Sequence, residues 1–190
     1  MMLFKFGIEL ELLVDQDLLI NSLINNNIKF VQKSDIAKNK ENCLVIKPEI
    51  TLRDPLGIEL NFPPNYTISD ISKVLNILKL LPVTFNSRCA MHIHVSFDEL
   101  TEETISRILS YYIEHQTDII EEAKLINIFA DLNELVSMDN FNKRRICLNT
   151  IRAYKKYSTI EHRIYKSTVD IDEILFALNQ TKSIIEAALY

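Results

Sequence analysis

Seven side chains in four short stretches of this 190-residue chain could do chemistry together: Glu9 and Glu11 in FGIELEL, Glu59 in GIELNF, His92 and His94 in CAMHIHVSF, and Glu161 and Arg163 in TIEHRIY. Each stretch alternates apolar and polar residues, the period that a β-strand imposes. Ile8, Leu10 and Leu12 fall on one face and Glu9 and Glu11 on the other. Ile58, Leu60 and Phe62 oppose Glu59 and Asn61. Met91, Ile93, Val95 and Phe97 oppose His92, His94 and Ser96. In the last stretch Glu161 and Arg163 share a face with Tyr165, and His162 points away by parity. Side chains two apart on a strand stand roughly 6.6 Å apart, enough to bracket a ligand or to hold neighbouring ions. Four carboxylates gathered against one guanidinium raise one another's pKa or demand cations. Carboxylate oxygens with a few imidazoles suit Mg²⁺ or Mn²⁺ better than Zn²⁺. The candidate metal ligands are therefore Glu9, Glu11, Glu59, His92, His94 and Glu161. Any half-solvated sheet also carries polar residues on its outer face, but this set is poor in lysine and rich in ligands.

The elements that must position these residues follow from periodicity and punctuation. Strands are expected over Leu3–Val14, Gly57–Phe62, Ser87–Phe97 and Tyr157–Tyr165, with one or two short strands in Leu44–Leu52. Helices are expected over Gln16–Asn25, from Thr67-Ile68-Ser69-Asp70 to about Leu81, from Thr101 past Glu121, over Asn140–Ala153, and over Asp170–Ala188. Strands and helices without strict alternation predict an α+β fold, a mostly antiparallel sheet covered on one face by helices. The length and the lack of a Gly/Ser- or Pro-rich linker predict a single domain over residues 1–190.

Composition narrows the function. Only Gly7 and Gly57 are glycines, which excludes a Walker phosphate loop and a dinucleotide fingerprint. The net charge of -5 argues against nucleic acid as a partner. Lys143, Arg144, Arg145, Arg152, Lys155 and Lys156 lie close in sequence and suit a solvated surface or a phosphate-bearing ligand. Three scattered cysteines without metal spacing read as reduced thiols of a cytoplasmic protein. Glu9 and Glu11 interrupt any signal-peptide core, and no run of about 18 uncharged apolar residues exists to span a membrane.

The order and spacing of FGIELEL, GIELNFPP, CAMHIHVSF and STIEHRIY resemble the amidoligase family of the glutamine synthetase-like carboxylate–amine ligases, over about residues 3 to 188. The resemblance implies a curved sheet in a glutamine synthetase-like catalytic fold that binds ATP with Mg²⁺ or Mn²⁺. It implies an ADP-forming ligase in which ATP phosphorylates a small-molecule or peptide carboxylate and an amine displaces the phosphate, with oligomerisation common in the group. Glu9 and Glu11 match the family's first acidic pair, Glu59 its second-strand glutamate, His92 and His94 its His-x-His pair, and Glu161 and Arg163 its last motif. On this reading Glu9, Glu161 and Arg163 are catalytic, and Glu59, Arg163 and Arg145 contact the nucleotide. Asn61-Phe62 and Ala90-Met91 depart from the family pattern and bear on substrate specificity. Two alternatives are a non-catalytic nucleotide- or protein-binding module on the same fold, and a metal-dependent hydrolase using His-x-His, for which His115 and His162 are the only further histidines.

Overall fold

The structure, a computed structural model, describes residues 3–32, 43–98, 100–122, 148–149 and 158–190. In chain order these form strand β1 (Lys5–Leu13), helix α1 (Gln16–Asn25), β2 (Phe30–Gln32), β3 (Leu44–Pro48), a 3₁₀ turn (Ile50–Leu52), β4 (Gly57–Phe62), α2 (Ile68–Lys79), β5 (Ala90–Ser96), α3 (Glu102–Glu122), the two-residue strand β6 (Leu148–Asn149), β7 (Ile160–Lys166) and α4 (Ile171–Leu189). The fold is α+β. One mixed sheet runs in the order β2-β3-β4-β1-β5-β7-β6, antiparallel at every step but the β2–β3 pair.

The helices start where side-chain caps satisfy their first N–H groups. Asp15 accepts from the Leu18 N–H at 2.8 Å, Thr67 and Asp70 form a reciprocal capping box, and Asp170 accepts from the Asp172 N–H at 2.9 Å. Each helix turns an apolar stripe onto the same side of the sheet. Leu19 and Leu23 of α1, Val74 and Leu78 of α2, Ile108 and Tyr112 of α3, and Ile174 and Ala177 of α4 join Leu10, Leu12, Leu60, Met91 and Ile93 in one continuous core. Burying that stripe, rather than helix propensity, is what holds such helices in place. No helix among the described residues is long and apolar enough to cross a membrane.

Two expectations are corrected. The stretch 140–153, expected to be helical, contains β6, which pairs with β7 through Leu148↔His162 and Asn149↔Glu161; the rest of that stretch lies outside the described residues. Tyr165 does not share a face with Glu161 and Arg163. Ile93 pairs with His162 and Met91 with Tyr165, so β7 places Arg163 and Ile164 opposite the single residue His92. This bulge resets the alternation. Tyr165 therefore turns to the helices, where its hydroxyl donates to Gln180 Oε1 of α4 at 3.0 Å and lies 3.2 Å from Thr181 Oγ1. His162 faces the helices too, as its parity predicts, with its ring 6.0 Å from that of Tyr112.

Candidate functional site

Register aligns the polar face in three rows. The first crosses Lys47, Glu59 and Glu11; the second Val45, Asn61, Glu9 and His92; the third Gly7, His94 and Glu161. All seven residues singled out by type and spacing come together on this face. It is a covered face: Glu11, Glu59, His92 and Glu161 are each buried, with at most 7% of their surface exposed. Arg145 lies outside the described residues.

One group forms where β1, β5 and β7 meet. His92 Nδ1 lies 3.3 Å from Glu9 Oε2 and 3.5 Å from Glu161 Oε1. His94 Nε2 lies 3.4 Å from Glu9 Oε1 and 3.9 Å from Glu161 Oε1, and its Nδ1 is fixed 3.0 Å from Thr159 Oγ1. Arg163 donates from Nη1 to Glu161 Oε1. Glu9, His94 and Glu161 each offer a ligand atom within 4.8 Å of the others.

A second group forms on the other flank of β1. Glu11, Glu49 and Glu59 also present oxygens within 4.8 Å of one another. Glu11 Oε2 accepts the Ala90 N–H at 2.9 Å, which ties β1 to the start of β5. Glu59 Oε1 accepts from Asn61 Nδ2 at 2.8 Å and from Lys47 Nζ. Glu49 follows β3, where its N–H donates to the Gly57 carbonyl at 2.8 Å and its carboxylate caps the 3₁₀ turn through the Thr51 N–H at 2.9 Å. Gly57 is required there, because a Cβ would stand 2.6 Å from the Glu49 carbonyl oxygen.

The electrostatics of the two groups differ in sign. Burial pushes the Glu9 carboxyl up, but hydrogen bonds and charge from His92 and His94 outweigh it and hold Glu9 well below the usual carboxylate range. Burial would push His94 down, yet the hydrogen bond to Glu9 and the charges of Glu9 and Glu161 raise it. The first group is thus internally compensated. In the second, burial raises Glu11 despite the opposing charge of His92, and burial and the Glu9 charge raise Glu59 despite Lys47. Glu49 alone is lowered there: burial is outweighed by the Thr51 hydrogen bonds. Clustered oxygens whose ionised forms are disfavoured by burial are a donor set that a hard divalent cation relieves.

Beside the first group a cleft of about 490 Å³ opens over Gly7, walled by Val45, Phe62 and Pro63 and edged by Lys5, Lys47 and Ser96. Its floor is low because residue 7 has no side chain; an added Cβ would meet nothing closer than 3.7 Å.

Lys47, Glu49 and Thr159 belong to the site but were not among its expected residues. Lys47 and Glu49 carried a signal: Val45, Lys47 and Glu49 alternate with Leu44 and Ile46, the period of β3 itself. Thr159 carried none, since it lies just before β7 and is placed by tertiary contact with His94. The two remaining histidines stay apart, His115 with its ring 4.3 Å from that of Tyr111 in α3 and His162 beneath the helices. Cys43 and Cys89 are free thiols, and burial pushes Cys89 up to about 11. The chain matches no protein-family model and no curated protein, so the reading of this face rests on its own geometry.

Proposed function

We propose that the chain is an ATP-dependent carboxylate–amine ligase of the glutamine synthetase-like group, with a curved sheet, ADP-forming and acting through an acyl phosphate, that holds Mg²⁺ or Mn²⁺ on its acidic sheet face. One observation carries this reading. Two ligand groups, Glu9–His94–Glu161 and Glu11–Glu49–Glu59, lie on opposite flanks of β1 and share that strand's Glu-x-Glu. Side chains two apart on a strand are separated by about 6.6 Å, and paired ions on one face suit a reaction whose charge develops on transferring phosphoryl oxygens.

The residues present fit such ions: oxygen donors predominate, and one imidazole joins only the first group. ATP bound with the ions would supply the phosphoryl group that turns a substrate carboxylate into an acyl phosphate with release of ADP, and an amine would then attack the acyl carbon and expel phosphate. The chain's own residues do the rest. Arg163, fixed by Glu161 and two positions along β7, presents its remaining guanidinium N–H groups to phosphoryl oxygens. His92, expected as a ligand, falls outside both ligand groups and with Thr159 would hold Glu9 and His94 in place, as outer partners of metal ligands do. The low exposure of the face keeps water from an activated acyl group. The acidic surroundings attract a cationic amine. The cleft over Gly7, next to Glu9 and His94, has room for a nucleoside-sized body.

The test is calorimetric titration of ATP into the protein with Mg²⁺ and then with EDTA, repeated on Glu161→Gln, followed by ADP release over carboxylate and amine pairs. Binding that needs the ion and is lost in the variant is expected. A second reading, a non-catalytic binding module, draws on the pairing of Lys47 with Glu59, of Arg163 with Glu161 and of both histidines with Glu9, which already compensates much of the charge. Absence of ATP binding in every condition would displace the ligase in its favour.

A further inference from the structure

Lys47 stands between two parts of the site. In register it faces Glu59 across the β3–β4 pair, and its ammonium pairs with Glu59 Oε1. It also edges the cleft over Gly7. It is the cation paired with a carboxylate that itself lies within 4.8 Å reach of Glu11 and Glu49. Lysine and a divalent ion would then compete for the same oxygens. Lys47 retains 27% side-chain exposure against 8% for Glu59, so the lysine has room to leave and the glutamate does not. An ammonium on a flexible four-carbon stem can be re-aimed while its backbone stays in the sheet.

We propose that Lys47 is an internal counterion that a divalent ion displaces: it neutralises Glu59 while the Glu11–Glu49–Glu59 group holds no ion, and turns into the cleft over Gly7 when an ion binds there. This rests on the metal-holding part of the reading above and assigns Lys47 a role in it as a positioning residue. Ion occupancy of the Glu11–Glu49–Glu59 group then supplies a positive charge to an anion in the cleft. The coupling is reciprocal by necessity, so an anion that engages Lys47 also strengthens ion binding at Glu59. Lys5 edges the same cleft and is exposed, so it adds charge without any such dependence.

The probe is Mn²⁺ alone, without nucleotide, titrated into the full chain and into Lys47→Met and followed by the electron paramagnetic resonance of free Mn²⁺. Removing the competing ammonium is expected to tighten one class of Mn²⁺ site up to about fivefold, the scale of a partly exposed ion pair of about 1 kcal/mol. In the wild-type chain, acetylation of the Lys47 amine by an N-hydroxysuccinimide ester, quantified by peptide mass spectrometry against Lys5, is expected to rise when Mn²⁺ is added. Glu59→Gln gives the complementary result: the Lys47 amine reacts readily with or without Mn²⁺. Equal Mn²⁺ affinity in wild type and Lys47→Met, with Lys47 acetylation indifferent to Mn²⁺, overturns the proposal and leaves the ligase reading intact. Failure of both chains to bind Mn²⁺ overturns the proposal together with the metal-holding face. Loss of ATP binding alone, with the Mn²⁺ competition present, overturns the ligase reading and not this one.

Discussion

Gly57→Ala should destabilise the protein and damage one flank of the site, whereas Gly7→Ala should do neither. The two glycines sit in paired strands, β4 and β1, and neither has positive φ, so the contrast is one of space alone. At residue 57 a Cβ would lie 2.6 Å from the Glu49 carbonyl oxygen, 3.0 Å from the Asp54 carbonyl oxygen and 3.2 Å from Leu52 Cβ. Two of these are backbone oxygens that already accept hydrogen bonds, Glu49's from the Leu52 N–H at 3.4 Å and Asp54's from the Gly57 N–H at 3.0 Å, so they cannot rotate away as a side chain could. Overpacking of this kind costs about 1–3 kcal/mol. The loss of unfolded-chain freedom on replacing glycine returns about 0.4–1 kcal/mol. The net loss spans about 0–2.6 kcal/mol with a midpoint of about 1.3 kcal/mol, or a fall in Tm of about 3–5 °C at that midpoint for a chain of this size. At residue 7 the nearest atoms are at 3.7 Å, an ordinary contact, so Gly7→Ala should be neutral or stabilising by up to about 1 kcal/mol. Urea unfolding of both variants, with the slope m compared to wild type, reads the difference directly. Because the peptide that must move is that of Glu49, Gly57→Ala should also weaken Mg²⁺ binding by the Glu11–Glu49–Glu59 group. A Gly57→Ala protein with wild-type midpoint and slope would refute the steric reasoning and, with it, the account of how Glu49 is placed.

Two further predictions concern charge and the helix-facing side of the sheet. Without divalent ions, stability should be greatest at mildly acidic pH: the lowered Glu9 contributes stability above its ordinary value of 4.5 and loses it as pH falls through its folded value, while His94 contributes below 6.5 and loses it as pH rises through its raised value. The raised Glu11 and Glu59 add to the decline as pH climbs above 4.5, so the urea midpoint should fall between pH 5 and 8, recover on addition of Mg²⁺ at pH 8, and vary less in His94→Asn; a midpoint that rises over that range would contradict the assignment. Tyr165→Phe should cost about 1–2 kcal/mol, by leaving Gln180 and Thr181 short of a partner, with metal binding unchanged. By contrast His162→Phe should be tolerated, since burial pushes that imidazole down to about 3, which leaves it neutral near pH 7, and both ring nitrogens lack partners among the described residues; loss of Mg²⁺ binding in either variant would place β7 the other way up.

How far the sequence could be read depended on whether a residue obeyed a local period. The alternation in β1, β4 and β5 placed Glu9, Glu11, Glu59, His92 and His94 on one face, because a strand's two-residue repeat leaves no choice once one face is apolar. The helix starts were legible for a similar reason, since Asp15, Thr67 with Asp70, and Asp170 are the residue types that satisfy orphan N–H groups. Tyr165 was misplaced because the bulge at Arg163–Ile164 is decided by pairing with β5, two elements and some 70 residues away in the chain, and leaves no mark in TIEHRIY itself. Glu49 stayed outside the expected set because the one or two strands expected in Leu44–Leu52 were assigned no face, although the polar period runs on through Lys47 to Glu49 across Pro48. β6 was hidden because two residues are too few for any period to register.

The strand order explains why the face carries two ligand groups rather than one crowded cluster. β1 is central, with β4 on one side and β5 on the other. Glu11 finds its partners toward β4 and the turn after β3; Glu9 finds its partners toward β5 and β7. In the order observed, the imidazoles serve one flank and Lys47 the other. The first flank is therefore held together by its own opposite charges. The second is left with two carboxyls that burial pushes up and one lysine that can leave. An ion has most to gain where compensation is poorest. The Glu11–Glu49–Glu59 flank should then show the larger change on ion binding, and the Glu9–His94–Glu161 flank, already ordered, should present Arg163 and the cleft in nearly fixed geometry. On the ligase proposal, a pair of sites with those opposite characters, one adjustable and one preorganised, would let one partner be admitted while the other is held for in-line transfer.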